Sequence, residues 1–141
     1  MSERIGHYEL MERVAEGGMG VIYRARDTRL DREVALKFLS PSLRASEPEL
    51  EQFLQEARAI SRLNHPNIAT IYAVEEDRGE RFLAFEYLAG GSLADYIAAA
   101  PGQTPVSRLL TWATRLARAL AHAHRHGIIH RDVKPQNVLL T

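Results

Sequence analysis

The 141-residue chain contains no cysteine, which excludes disulfide bonds and thiolate metal sites within it. It also lacks the roughly 20 consecutive apolar residues of a membrane-spanning helix, and its first residues, MSERIGHYELMERV, contain no apolar signal-peptide core. Neither sign of charge is in excess, because 18 Lys and Arg residues balance 18 Asp and Glu residues. We therefore expect a soluble segment without nucleic-acid or direct membrane contact, in which any phosphate binding is local.

Short strand-like segments dominate the first half. Five runs rich in β-branched and aromatic residues, separated by turn-forming residues, lie at 8–15, 21–27, 33–39, 68–76 and 81–88. The first three predict an antiparallel meander. Residues 46–67 predict one helix, with Ser46 and Glu49 as a capping box, Pro48 in the first turn and a stop at Asn64-His65-Pro66.

Gly90-Gly91 marks a change of composition, after which the pattern is helical. Residues 92–100 and 106–126 predict two helices separated by the break PGQTP, and Gly127 is placed to end the second one. An apolar stripe runs along that second helix: Leu109, Trp112, Ala113, Leu116, Leu120 and Ala123. A strand-rich half, up to about Tyr87, is thus followed by a helical half.

The glycine-rich stretch AEGGMG, residues 15–20, lies between two predicted strands. Glycines there allow the backbone N–H groups to approach a phosphate closely. A dinucleotide fingerprint or a P-loop would require a helix after the glycines, whereas VIYRA predicts a strand. On this loop alone, a tight hairpin without a ligand remains the alternative.

Two charged residues occupy positions that predict burial. Lys37 has apolar neighbours on both sides in EVALKFL, where an unpaired ammonium is costly. Glu56 falls within the apolar arc of the helix over 46–67. We expect the two to pair if the helix crosses the sheet, although two exposed charges with buried stems would give the same pattern.

The segment HRDVKPQN, residues 130–137, concentrates chemical groups in a loop that Pro135 keeps from being helical. Asp132 can orient a hydroxyl group or accept its proton, Lys134 can neutralise a transferring phosphoryl group, and Asn137 offers an amide oxygen suited to Mg²⁺. A solvated polar loop is the alternative for any one of them. His122 and His126, four residues apart on the second helix, lack the acidic or thiol partner that would complete a metal site.

Taken in order, GGMG, VALK, HPNI and HRDVKPQN resemble the eukaryotic-like protein kinases, and residues 6–39 are most similar to the bacterial serine/threonine type. The resemblance runs from Gly6 to Thr141. It implies an α+β, protein-kinase-like fold: residues 1–7 as an N-terminal extension, residues 8–87 as a complete N-lobe with an antiparallel five-stranded sheet and one helix, and residues 88–141 as the hinge and a partial C-lobe through the catalytic loop.

The resemblance also implies an ATP site. Gly17 and Gly20 match the second and third glycines of the kinase loop, and Ala15 replaces the first, which predicts a stiffer loop. Lys37 matches the lysine that binds the α- and β-phosphates, Glu56 its helix partner and Phe85 the gatekeeper. The expected nucleotide-contacting residues are Val14, Ala15, Glu16, Gly17, Gly18, Met19, Gly20, Ile22, Ala35, Lys37, Phe85, Glu86 and Leu88. Ser92 and Asp95 are expected near the ribose.

In the catalytic loop, Asp132 matches the catalytic base and Asn137 a Mg²⁺ ligand. Lys134 and Pro135 resemble the Lys-Pro pair found in the catalytic loop of serine/threonine kinases, so a protein Ser or Thr hydroxyl is the expected substrate. Arg131 resembles the arginine that receives a phosphorylated activation loop, which predicts switching by phosphorylation. His130 is expected to be structural.

The motifs that follow the catalytic loop in protein kinases are missing: no Asp-Phe-Gly segment, activation loop or Ala-Pro-Glu stretch occurs within the 141 residues. We therefore expect this chain alone to bind nucleotide weakly and to transfer phosphate negligibly. The alternative is a non-catalytic half-kinase that binds nucleotide or a partner. A cytoplasmic location is expected, and membrane anchoring through a later segment is left open.

Overall fold

A computed structural model describes residues 3–17, 20–41, 46–99, 102, 104–130 and 133–141. The chain divides into two compact units. The first comprises Met1–Arg62 and Ala69–Tyr87, and the second comprises Leu63–Ile68 and Leu88–Thr141.

A curled antiparallel sheet forms most of the first unit, with six strands in the order β1-β2-β3-β4-β6-β5 among the described residues. The strands are β1 (Arg4–Ile5), β2 (Tyr8–Gly17), β3 (Gly20–Asp27), β4 (Arg32–Leu39), β5 (Ile71–Asp77) and β6 (Glu80–Glu86). Strands that follow one another in the chain have short connections and pair antiparallel. The exception is β4 and β5, which helix α1 (Glu47–Ser61) separates in the chain and β6 separates in the sheet.

The sixth strand corrects the prediction of five. Residues 4 and 5 were expected in an N-terminal extension, but Arg4 pairs with Glu9 and Ile5 with Tyr8. Ile5 is buried in the core, and the Leu10 N–H donates to Glu3 O at 2.8 Å. A strand of two residues is too short to show an alternating pattern, so the sequence carried no signal for it.

One face of the sheet holds an aromatic core. Phe82 is 1% exposed, and its ring packs edge-on against Tyr8 at 5.8 Å and tilted against Phe38 at 5.2 Å between centroids. Val34 and Leu36, two residues apart on β4, point to this same face and are fully buried. Burial of these large side chains is the main stabilising contribution in this unit.

Helix α1 packs on the opposite face of the sheet. Leu39, odd-numbered on β4 and hence on the other side from Val34 and Leu36, clusters with Leu50 and Leu54 of the helix. The helix begins as predicted, with a proline and acidic residues in its first turn. The capping box is wrong, however, since Ser46 makes no side-chain capping hydrogen bond and contributes only its carbonyl oxygen, to the Leu50 N–H.

The second unit contains the helices α2 (Leu93–Ala99) and α3 (Val106–Arg125) and a 3₁₀ turn (Pro135–Asn137). Gly127 has φ +78° and its N–H donates to His124 O, which ends α3 as predicted. Of the predicted stripe, Ala123 is buried but Leu109 is 46% exposed. No helix in the described residues is long and apolar enough to span a membrane.

Candidate active site

The register of the sheet brings five of the predicted nucleotide-contacting residues onto one face. Ala15 lies opposite Ile22, and Ile22 lies opposite Lys37. Ala35, two residues from Lys37, lies opposite Phe85. Because directly opposed residues and alternate residues share a face, all five side chains belong to the face on which α1 packs.

Gly20, the first residue of β3, has a steric reason to be glycine. Gly20 has φ +149°, and a Cβ atom there would lie 1.8 Å from Phe38 O of β4. Glycine is therefore required at this position by the neighbouring strand, whether or not a ligand binds. Gly17 pairs with Gly20, and Glu16 with Val21. Gly18 and Met19 lie outside the described residues.

Val14 is the extra residue of a β-bulge. The pairing shifts between Arg13, which lies opposite Tyr23, and Ala15, which lies opposite Ile22. A bulge breaks the strict alternation of side chains and twists the strand. Val14 is 45% exposed, so an apolar ligand surface packed against it would remove that area from water.

Lys37 is the charged residue of this face. Its side chain is half-buried, and burial lowers the pKa of the ammonium below its usual value. The Nζ atom lies 5.8 Å from the centroid of the Phe53 ring of α1, a cation–π distance. Among the ion pairs between described residues, none involves Lys37.

The predicted ion pair between Lys37 and Glu56 is not formed in this structure. Glu56 is exposed and accepts a hydrogen bond from Gln52 Nε2 at 3.4 Å. The helical wheel was misleading for Glu56. Helix α1 buries the neighbouring residues Leu54 and Ala57, and this leaves Glu56 at the rim of the apolar face. Phe53, one turn before Glu56, lies against the ammonium instead. Nothing in the sequence distinguishes Phe53 from the other apolar residues of the helix.

The strand end that leads to the second unit is held by reciprocal hydrogen bonds. The Glu86 N–H donates to Thr70 O at 2.8 Å, and the Thr70 N–H donates to Glu86 Oε2 at 3.1 Å. Since the Glu86 N–H is already bonded, the predicted adenine contact of Glu86 depends on its carbonyl oxygen. Phe85 and Leu88 are both half-buried.

The segment after the predicted catalytic base is tied to the start of α2. The Leu93 N–H donates to Val138 O at 2.7 Å and the Leu140 N–H donates to Gly91 O at 2.9 Å. Ser92 and Asp95 cap α2: the Asp95 N–H donates to Ser92 Oγ and the Ser92 N–H donates to Asp95 Oδ2. Their place near the ribose stays a prediction.

Asn137 and Lys134 are exposed on a loop of defined geometry. Lys134 has an extended backbone, and its carbonyl accepts the Asn137 N–H at 2.9 Å, which closes the 3₁₀ turn. Arg131 and Asp132 lie outside the described residues. One or two protein oxygens with phosphate oxygens suffice for Mg²⁺, so the Asn137 amide oxygen fits that ion.

Three histidines of the second unit stack on one another. The His122 ring lies 5.1 Å from that of His65 and 4.6 Å from that of His126, between centroids. Among the described residues no group of three or more His, Cys, Asp or Glu side chains could hold a metal ion. His126 Nδ1 also lies 2.8 Å from His122 O.

Comparison with known proteins decides the family. The model of the protein kinase domain family matches residues 8–141. The chain belongs to the protein kinase domain family. The kinase-like fold predicted from the motifs is therefore confirmed, as is the serine/threonine resemblance.

Two curated relatives are a probable serine/threonine-protein kinase of Clostridium perfringens and the serine/threonine-protein kinase PrkC of Bacillus subtilis. They are 40% and 37% identical over 134 and 135 residues, covering 95% and 96% of this chain. The crystal structure of the Mycobacterium tuberculosis PknI kinase domain superposes with a TM-score of 0.84 and 31% identity over 99% of this chain. The chain spans only 19% and 21% of those two relatives and 57% of the PknI chain.

Proposed function

We propose that this chain carries the ATP-binding part of a serine/threonine protein kinase, which transfers the γ-phosphoryl group of ATP to a protein Ser or Thr hydroxyl. The observation that carries the proposal is Lys37. A desolvated ammonium without a carboxylate partner among the described ion pairs is a receptor for an anionic ligand. It shares a face with apolar Ile22, Ala35 and Phe85, the surroundings that a purine ring requires.

In this proposal most of the residues that hold the nucleotide lie in the first unit. Lys37 binds its α- and β-phosphates, and Ala15, Ile22 and Ala35 pack against adenine. The carbonyl of Glu86 and the backbone of Leu88 contact the adenine edge. Val14 lines the adenine pocket with Ala35, residues Glu16–Gly20 cover the phosphates, and Phe85 limits the depth of the pocket.

The second unit supplies the groups for transfer. Asp132 orients the acceptor hydroxyl and takes its proton, Lys134 stabilises the charge on the transferring group, and Asn137 holds Mg²⁺. When bound, Mg²⁺ neutralises phosphate charge. The Lys134-Pro135 pair and the names of the relatives support a Ser or Thr substrate. The location that we propose for this kinase segment is the cytoplasm.

Glu56 enters the proposal as a partner that Lys37 acquires only after a rearrangement. The two residues are on elements that already pack together, and a change of side-chain conformation or a rotation of α1 is needed to join them. Pairing would raise the pKa of Lys37, because a nearby carboxylate favours the charged ammonium.

We further propose that the 141 residues by themselves bind MgATP weakly and transfer phosphate negligibly, because they contain no Asp-Phe-Gly segment. Reading the gene downstream of codon 141 tests the continuation. An in-frame Asp-Phe-Gly segment supports an active kinase. Its absence, together with MgATP binding, supports the half-kinase binding module.

The binding test uses the fact that the chain contains only two lysines, Lys37 and Lys134. With labelled lysine, we expect MgATP to shift the Lys37 side-chain NMR signal, and Lys134→Arg assigns the two signals. Lys37→Met should weaken MgATP binding at least about tenfold, the cost of one charge-assisted phosphate contact. Equal affinity of Lys37→Met and the unsubstituted chain would refute the phosphate role.

A further inference from the structure

Arg24 of β3 is held by carboxylates from both neighbouring strands. Its Nη1 atom lies 2.9 Å from Glu12 Oε1 of β2, and Nη2 is hydrogen-bonded to Glu33 Oε1 of β4. The side chain is 27% exposed, and its Nε atom is buried without a hydrogen-bond partner among the described residues. Two carboxylates on different strands fix both the position and the plane of a guanidinium group.

The fixed guanidinium faces an aromatic ring at the end of the sheet. The Arg24 Cζ atom lies 5.3 Å from the centroid of the Tyr87 ring, within cation–π range. Tyr87 directly follows Glu86, the last residue of β6, and directly precedes Leu88. It therefore lies between the two residues whose backbone the proposed function places against adenine.

This arrangement differs from an ordinary surface ion pair. Arg26, two residues further along the same strand, bonds among the described residues only to Asp31 in the following turn, with both side chains at least half exposed. Such a pair contributes little to stability. Arg24 instead joins three separate strands, because Glu12 lies on β2, Glu33 on β4 and Tyr87 just after β6.

We propose that Arg24 is a positioning residue that holds the Tyr87 ring and thereby fixes the backbone of residues 86–88 for adenine recognition. This inference rests on the proposed nucleotide-binding function. Arg24 acts through Tyr87, so losing either side chain should weaken binding of the base without weakening binding of the phosphates.

The experiment measures adenosine and tripolyphosphate binding to the same chain by NMR titration. Arg24→Ala and Tyr87→Leu should each weaken adenosine binding about fivefold, the effect expected of one cation–π contact, and leave tripolyphosphate binding unchanged. The double variant should be no weaker than the weaker single variant, because both break one link. Tyr87→Phe, which keeps the ring, should restore adenosine affinity.

Arg26→Ala is the matched control and should bind adenosine within twofold of the unsubstituted chain. Hydrogen exchange of the Leu88 amide should accelerate in Arg24→Ala but not in Arg26→Ala. If Arg24→Ala fails to fold, Tyr87→Leu still tests the link, since it leaves both ion pairs of Arg24 in place.

Adenosine affinity unchanged in Tyr87→Leu, or equal losses for adenosine and tripolyphosphate, would overturn the positioning role while leaving nucleotide binding intact. An unsubstituted chain that binds neither adenosine nor MgATP would overturn the proposed function and this inference with it.

Discussion

Replacing Gly90 by alanine should separate the loop after β6 from the segment that follows the predicted catalytic base. An ideal Cβ atom at Gly90 would lie 2.1 Å from Leu140 O and 2.6 Å from Leu140 C. Non-bonded carbon and oxygen atoms approach to about 3.3 Å, so the two backbones must move apart by roughly 1 Å. Both obstacles are backbone atoms, which cannot turn away as a side-chain end can.

The magnitude follows from the hydrogen bonds that this movement breaks. Leu140 N–H to Gly91 O is 2.9 Å and Leu93 N–H to Val138 O is 2.7 Å. A separation of the backbones by a further 1 Å lengthens both N···O distances beyond about 3.5 Å, where little hydrogen bonding remains. At about 1 kcal/mol each, the loss is about 2 kcal/mol, or roughly a 30-fold increase in local opening.

Amide hydrogen exchange is the direct assay, because it reports the opening of single hydrogen bonds. The Leu93 and Leu140 amides should exchange about 30-fold faster in Gly90→Ala. Gly79→Ala is the control: it adds the same methyl group where no atom lies within 4 Å, and its strain of about 1 kcal/mol falls on the β5–β6 turn. Unchanged exchange at Leu93 and Leu140 in Gly90→Ala would refute the steric reasoning.

Two further predictions concern stability. Phe82→Ala should lower the free energy of unfolding by about 3–5 kcal/mol in urea titrations, because it empties a fully buried aromatic site. Val74→Ala, at a 38% exposed position, should lower the free energy of unfolding by less than about 1 kcal/mol. Equal decreases in the two variants would contradict the assigned core. Burial, followed by the charges of His126, His65 and Arg125, lowers the pKa of His122. The unfolded chain then binds a proton more readily than the folded chain, so His122 contributes stability above its unfolded pKa of about 6.5, and this stability is lost as the pH falls through the folded pKa. In His122→Asn the urea midpoint should therefore depend less on pH between pH 7.5 and 5.5. A pH dependence equal to that of the unsubstituted chain would count against this role.

The strands and helices were predictable because their signals are local. Alternating β-branched and aromatic residues marked the five longer strands, and the proline and acidic residues at its start marked α1. β1 could not be found in this way, since Arg4–Ile5 is stabilised by pairing with β2 and by burial of Ile5.

The pairing of charges was less predictable. Lys37 was correctly expected in an apolar setting, because the residues flanking it on β4 are apolar. Its contact is Phe53, not Glu56, since the rotation of α1 about its own axis is set by how Leu50 and Leu54 pack against Leu39. A helical wheel specifies which residues share a face, but not which rim of that face meets a given side chain.

By itself, the sequence determined the family and the chemical groups available, because the motifs that carry them are short, ordered stretches of adjacent residues. Only the tertiary structure decided which groups meet: Lys37 with Phe53, Arg24 with Tyr87, and Gly90 with Leu140. These contacts join residues far apart in the chain, and their geometry depends on strand register and helix rotation. Those are properties of packed elements, and no local pattern of residues encodes them.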